Sequence, residues 1–378
     1  MILIYLDNNA TTRLDDRVLE SMLPFFTEKY GNPNSVHRMG YEAEKAIENA
    51  RETIAKILKV DPREIYFTSC ATESINWILK STAKVLKRSG RKIITTTVEH
   101  KAVLNSLKAL EKEGFKIVYI PVDRKGKIIL EKLEKALDDE VILVSIIAAN
   151  NELGTVQPIE KIVEIVKSKT NALVHVDAVQ TVGKMRFDFS KWNVDLASFS
   201  AHKFHGPKGV GFAYIKLGVP IIPLLDGGGQ ERGMRSGTQN VPGIVGLGKA
   251  FQLAWEELET SIEKMERLRR MIAEKIQKLG GVVITPLDES ISNTLLVSFP
   301  GIIGSVLANA LSSENIFVST GSACSSREGI ASHVLKALNI DPLIAEGAIR
   351  ISLSKMNTED EIKRFLEKLE EIVKYLKL

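Results

Sequence analysis

The chain has 378 residues, 44% hydrophobic and 26% charged, with 51 Lys plus Arg against 47 Asp plus Glu for a net charge of +4. That length accommodates two domains of ordinary size, and that composition excludes disordered, collagen-like and membrane-embedded classes. The small positive excess is spread along the chain, so short basic runs such as Lys87–Arg88 with Arg91–Lys92 read as solvated helix ends and not as a nucleic-acid surface.

The apolar start Met1–Leu6 is cut off by Asp7, too short for a signal-peptide core. The longest apolar runs, such as Val141–Ala149, fall short of the roughly 20 residues a membrane span needs. Two cysteines, Cys70 and Cys324, cannot build a disulfide framework, which points to a reducing, cytoplasmic home.

In chain order, Ile47, Ala50, Ile54 and Ile57 mark an amphipathic helix before an apolar strand at Ile65–Thr68. Further strands are predicted at Ile93–Thr97, Ile117–Ile120, Val141–Ile147, Leu173–Val176 and Leu196–Phe199, with helical patterns between them. This rhythm predicts a mostly parallel sheet covered on both faces. Beyond residue 250 the texture changes. One long helix is predicted from Val245 to Leu279, then strands at Val282–Thr285 and Thr294–Phe299, another before Ser319, and one at Ala348–Leu353. The final helix opens with the capping-box pair Thr358 and Glu361 and carries the stripe Ile362, Phe365, Leu369, Ile372, Leu376. A large α/β domain followed by a smaller α+β domain is expected.

Ligands of open α/β sheets bind outside the carboxyl ends of the strands. Five candidate strands run at once into polar residues there: Ser69-Cys70-Ala71-Thr72-Glu73, Glu99-His100, Asn150-Asn151-Glu152, Asp177 with Gln180, and Ser200-Ala201-His202-Lys203. Ala71-Thr72 opening a helix suits a phosphate, and is equally read as a plain N-cap. Asp177 could pair with a protonated ring nitrogen or simply cap. His100 could stack or relay a proton, although a lone histidine is more often structural. Lys203, beside His202 and the turn Gly206-Pro207-Lys208-Gly209, is a lysine whose amine partial burial would free for imine formation.

Gly206–Gly211 lacks the Gly-Lys-Ser/Thr ending of a P-loop, Gly227-Gly228-Gly229 lacks the Rossmann context, and the histidines and cysteines show no metal-ligand spacing. Cys324 sits in the small-residue run Ser319–Ser326, where an exposed thiol points to nucleophilic attack or sulfur carriage more than to an idle surface residue. Cys70 reads as packing.

Several strings together resemble a cysteine desulfurase of the NifS/IscS type, within the class V aminotransferases. They are Tyr5–Thr12, Phe67–Ser74, Glu99-His100-Lys101, Asn150-Asn151-Glu152, His175–Gln180, Ser200–Lys203, Arg235-Ser236-Gly237-Thr238 and Gly321-Ser322-Ala323-Cys324, in order over nearly the whole chain. The resemblance implies the type I fold of pyridoxal phosphate (PLP) enzymes. It implies a mostly parallel seven-stranded sheet in residues 15–250, and a smaller α+β unit made of residues 1–14 with 251–378.

By the same resemblance, Lys203 carries pyridoxal phosphate as a Schiff base and removes the substrate Cα proton. Asp177 pairs with the pyridine nitrogen, Gln180 and Asn151 approach the ring hydroxyl, and His100 stacks on the ring and handles protons. Ala71, Thr72, Ser200 and His202 hold the phosphate, joined by Thr238 from the second subunit of a homodimer. Arg350 grips the substrate carboxylate with help from Asn32, and Cys324 accepts sulfur from L-cysteine as a persulfide. An iron–sulfur scaffold or another acceptor protein is the implied partner. Cys70 stands where many relatives carry Gly. Selenocysteine lyase activity is the near alternative; an aminotransferase or lyase with Cys324 idle, and a cofactor-less interaction protein, are the more distant ones.

Overall fold

The computed structural model describes residues 3–320 and 332–377. Helix α1 (Arg38–Leu58) buries Ile47, Ala50, Ile54 and Leu58 along one face, and its chain exits through Lys59 in the left-handed region. Strand β1 (Ile65–Thr68) follows, then α2 (Ala71–Leu86), β2 (Lys92–Thr96), α3 (Lys101–Lys112) and β3 (Lys116–Ile120). Next come β4 (Val141–Ile147), α4 (Ile159–Lys169), β5 (Leu173–Asp177), β6 (Leu196–Ser200) and β7 (Gly211–Ile215). Among the described residues these strands form a seven-stranded sheet in the order β1-β7-β6-β5-β4-β2-β3. Every residue of β4, β6 and β7 is buried, as expected of strands covered on both faces.

Strand β7 is absent from the expectation above, because Gly206–Gly211 reads as a turn and hides the apolar residues after it. It runs antiparallel to both neighbours, pairing Ser200 with Gly211 and Thr68 with Gly211 at its start. Only glycine fits there: a Cβ on Gly211 would lie 2.5 Å from the Phe199 carbonyl oxygen and 3.0 Å from Cys70 backbone carbon.

The predicted single helix Val245–Leu279 is in fact two, α5 (Val241–Glu256) and α6 (Leu258–Lys278). They meet at Glu257, whose φ of −97° and ψ of 11° leave α geometry. Its carboxylate is held outside the helix line by Arg17 at 2.6 Å and Lys355 at 2.7 Å. The larger core takes in Phe251, Leu253 and Ala254 of α5, whereas Met265, Leu268 and Ile272 of α6 belong to the smaller core.

That smaller core backs an antiparallel sheet of β8 (Val282–Val283), β9 (Thr294–Ser298), β10 (Ser319–Thr320) and β11 (Ala348–Ser352), in the order β10-β11-β9-β8. Helix α7 (Gly304–Ser313) and helix α8 (Glu359–Leu376) cover it, and the capping box of Thr358 and Glu361 is formed. The N-terminal residues Ile4–Tyr5 pair in parallel with Ile316–Phe317, and Asp7 bridges to Ser352. The start of the chain is thereby tied to the small sheet. Among the described residues no helix is long and apolar enough to cross a membrane, and no cluster of His, Cys, Asp or Glu could hold a metal ion.

Candidate active site

A cavity of about 730 Å³ opens at the carboxyl ends of β1, β4, β5 and β6, with α7, β10 and β11 of the smaller sheet layer forming its opposite wall. Lys203, His100, Asp177, Gln180, Asn151, Ala71, Thr72, Ser200, His202 and Arg350 all line it. The crossover topology sets this convergence. Parallel strands finish at the same sheet edge, so residues far apart in sequence end within one crevice.

At one end, α2 starts with Cys70 as its N-cap, which makes no side-chain cap hydrogen bond, leaving the first turn at Ala71 and Thr72 facing the cavity. Across from it, the Ser200 hydroxyl is buried without a hydrogen-bond partner among the described residues. His202 Nδ1 lies 3.2 Å from the Thr11 hydroxyl, and burial, with Lys203 beside it, pushes its pKa down to about 4. Glu73 is kept from facing the helix end as a bare anion by Arg235 at 2.8 Å, and also pairs with the Ser69 hydroxyl.

Deeper in, Asp177 is buried, and desolvation pushes its pKa up to about 6. Its Oδ1 accepts from Val179 N at 3.1 Å. His100 caps α3, its Nδ1 accepting from Ala102 N at 3.1 Å. Burial, then the nearby Lys203 charge, hold its pKa near 4, so the ring is neutral at pH 7 with its proton on Nε2. Lys203 follows β6 in a short turn and donates to the Asn9 and Ala10 carbonyls at 2.7 and 2.8 Å. Gln180 Nε2 donates to the same Asn9 carbonyl at 3.1 Å.

Arg350, on β11, enters from the smaller sheet. It is 4% exposed and donates through Nη2 to Asp7 at 2.7 Å and through Nη1 to the Asn151 carbonyl at 3.0 Å. Its Nε is buried without a partner among the described residues.

Two expectations fall differently. Cys70, read as packing, is half-buried on the cavity wall, because an N-cap residue of a helix that opens into the crevice faces the crevice. Asn32 lies on an exposed loop, where its Oδ1 accepts from Asn34 N at 3.0 Å and caps its own turn, away from the cavity lining. Thr238, expected to act in the site of a second subunit, is exposed and lies outside this chain's own cavity lining. Cys324 lies outside the described residues.

Sequence reasoning missed Asp7 and Asn9 as members of the site, whereas Glu99, quoted beside His100, is absent from the cavity lining. Asp7 and Asn9 stood inside a quoted motif, but nothing local shows that the chain start returns to the sheet. Glu99 is fully buried, its Oε1 accepting from Thr96 Oγ1 at 2.7 Å and Ile147 N at 3.0 Å, and burial pushes its pKa up to about 8.

Residues 4–365 match the aminotransferase class-V family. The cysteine desulfurase IscS of Clostridium botulinum is 46% identical over 98% of this chain and 94% of its own length. That of Methanosarcina thermophila is 44% identical over 99% of this chain and 93% of its own. A solved NifS-like protein superposes with a TM-score of 0.95 at 58% identity, covering 99% of this chain and 100% of that one. The chain belongs to the class-V aminotransferase family, within its NifS/IscS-type cysteine desulfurases.

Proposed function

We propose that this chain is a pyridoxal-phosphate-dependent cysteine desulfurase that moves sulfur from L-cysteine onto Cys324 and releases L-alanine. The observation that carries the reading is the meeting of a lysine amine, a deeply buried carboxylate and a half-satisfied guanidinium in one cavity: Lys203, Asp177 and Arg350.

The residues present fit the cofactor. An uncapped helix start at Ala71 and Thr72 and the unpartnered Ser200 hydroxyl make a phosphate cradle, with His202 alongside. A desolvated Asp177 fits a protonated ring nitrogen, and the flat neutral His100 fits a ring face. Bound there, pyridoxal phosphate supplies an electron sink for charge developing at the substrate Cα.

The chain's own residues do the rest. Arg350 binds the substrate carboxylate through its unpartnered Nε edge, orienting Cα. The Lys203 amine anchors the cofactor and then takes up the Cα proton. Asn151 and Gln180 would border the ring hydroxyl, and the apolar side chains of Ile147 and Val179 line the cavity with them. The Cys324 thiolate then bonds to the substrate sulfur while the Cβ–S bond breaks, and its electron pair stays with the carbon that becomes the alanine methyl.

In this reading residues 15–250 hold the cofactor, and residues 1–14 with 251–378 carry Arg350 and Cys324. Thr238, exposed on its own chain, completes the phosphate site of a second copy in a homodimer. The sulfur passes to an acceptor protein, such as an iron–sulfur scaffold, in the cytoplasm.

Mass analysis of the protein after exposure to cysteine tests the assignment. A gain of one sulfur mapped to Cys324, with alanine released, is expected. Sulfur on Cys70 alone, or full turnover by Cys324→Ala, would overturn it.

A further inference from the structure

Next to Lys203, outside the lining of the large cavity, lies a second lysine for which the reaction above has no use. Lys184 follows β5 by two turns and is 5% exposed. Its Nζ donates to the Gln180 side-chain oxygen and, at 3.4 Å, to Asn9 Oδ1. Both acceptors are amides, and the charges that reach it are the cations Lys203 and Arg350. An ammonium in such a place costs far more than an amine, and burial holds its proton affinity well below the ordinary lysine range. Among the described residues no carboxylate pairs with this buried lysine, so it is retained as a hydrogen-bond donor, not as a charge.

What it holds matters. The Asn9 carbonyl receives both Gln180 Nε2 at 3.1 Å and Lys203 Nζ at 2.7 Å. The Asn9 side chain donates to the Asn151 carbonyl at 3.1 Å and accepts from Asn293 at 3.0 Å. Lys184 therefore fixes which way the Gln180 amide faces, since its oxygen is engaged and its nitrogen is left for Asn9 or a ligand. It also pins the Asn9 residue that meets the Lys203 amine.

We propose that Lys184 is a positioning residue: its amine orients the Gln180 amide and Asn9, and through Asn9 it sets where the Lys203 amine stands to meet the cofactor. This rests on the reading that pyridoxal phosphate joins Lys203. Backbone contacts show how firmly the segment is embedded, with Ser292 Oγ donating to the Lys184 carbonyl at 2.9 Å. The position is thus set by the fold before any ligand arrives.

The test uses the full-length chain stripped of cofactor and follows its capture of added pyridoxal phosphate by ring absorbance, alongside the melting temperature of the stripped protein. Lys184→Met, Gln180→Leu and the double variant are compared. Lys184→Met is expected to slow capture roughly 10-fold, the scale of one lost buried hydrogen bond. The double variant is expected to lose less than the product of the two single effects. Lys184→Gln, which keeps a donor, is expected to recover part of the rate, and it replaces Lys184→Met in the cycle if that variant does not fold. Capture by Lys184→Met at the wild-type rate, or independent effects in the cycle, overturns the role of Lys184. A wild-type chain that captures no pyridoxal phosphate overturns the site reading itself.

Discussion

Arg350 on the smaller sheet donates to Asp7 at 2.7 Å, so the residue assigned to the substrate carboxylate is already held by an internal one. Asp7 reaches it because Ile4–Tyr5 pairs with Ile316–Phe317 and Asp7 itself bridges to Ser352, the neighbour of Arg350 but one. The pair leaves the guanidinium plane fixed with its Nε edge unpartnered. A planar fork held this way presents a directed donor edge, which a lysine ammonium does not reproduce. Arg350→Lys is therefore expected to raise KM for cysteine roughly 10-fold or more, with a smaller fall in kcat. Steady-state kinetics that show kcat falling alone would place Arg350 elsewhere in the mechanism.

Glu99 is expected to make stability depend on pH. Its folded pKa of about 8 stands above the ordinary 4.5 because burial penalises the carboxylate. The folded state thus holds the proton more tightly than the unfolded one. The resulting stability is complete below about pH 4.5 and is lost as pH rises toward 8, at up to about 1.4 kcal/mol per pH unit. Glu99→Gln cannot ionise, so its melting temperature should gain on the wild type steadily between pH 5 and 8. Parallel melting curves across that range would show that Glu99 is not protonated in the fold.

Arg51 and Glu231 form a bidentate pair at 2.9 and 3.0 Å, with side chains 3% and 2% exposed. Glu231 also accepts from Phe67 N at 2.8 Å, and its own φ of 49° is in the left-handed region. The pair anchors the loop that carries Arg235, which in turn holds Glu73 in the first turn of α2. Arg51→Met strands a buried carboxylate and should cost about 3–5 kcal/mol in urea unfolding. Adding Glu231→Leu should recover much of that loss. A double variant as unstable as the single one would mean that packing around the pair matters more than its charge.

Cys70 is the one thiol on the cavity wall among the described residues. Its Sγ lies 3.8 Å from the Ser69 hydroxyl, and it supplies no cap hydrogen bond to α2. Cys70→Ser should therefore leave turnover near the wild-type level, while Cys324→Ala should keep cofactor uptake and lose alanine formation. An inactive Cys70→Ser variant would give the second thiol a part in the sulfur transfer.

Most strands and helices of this chain were legible from local signals, since runs such as Val141–Ile147 and the Thr358 capping box carry their own periodicity and caps. Polar residues clustered after strand ends pointed to the crevice, and Lys203, Asp177, His100 and Gln180 do converge there. Strand β7 was hidden because the glycine-rich turn Gly206–Gly211 leads straight into it, and the break at Glu257 because its partners Arg17 and Lys355 lie far away in sequence. The sequence by itself therefore determined which residue types stand at the end of each parallel strand and which lysine among them leads into the Gly-Pro-Lys-Gly turn. Only the tertiary structure decided that Asp7 and Asn9 fold back to meet Arg350 and Lys203, and that Lys184 is sealed behind them. Contacts over such separations come from the packing of two cores and leave no periodic trace in either segment alone.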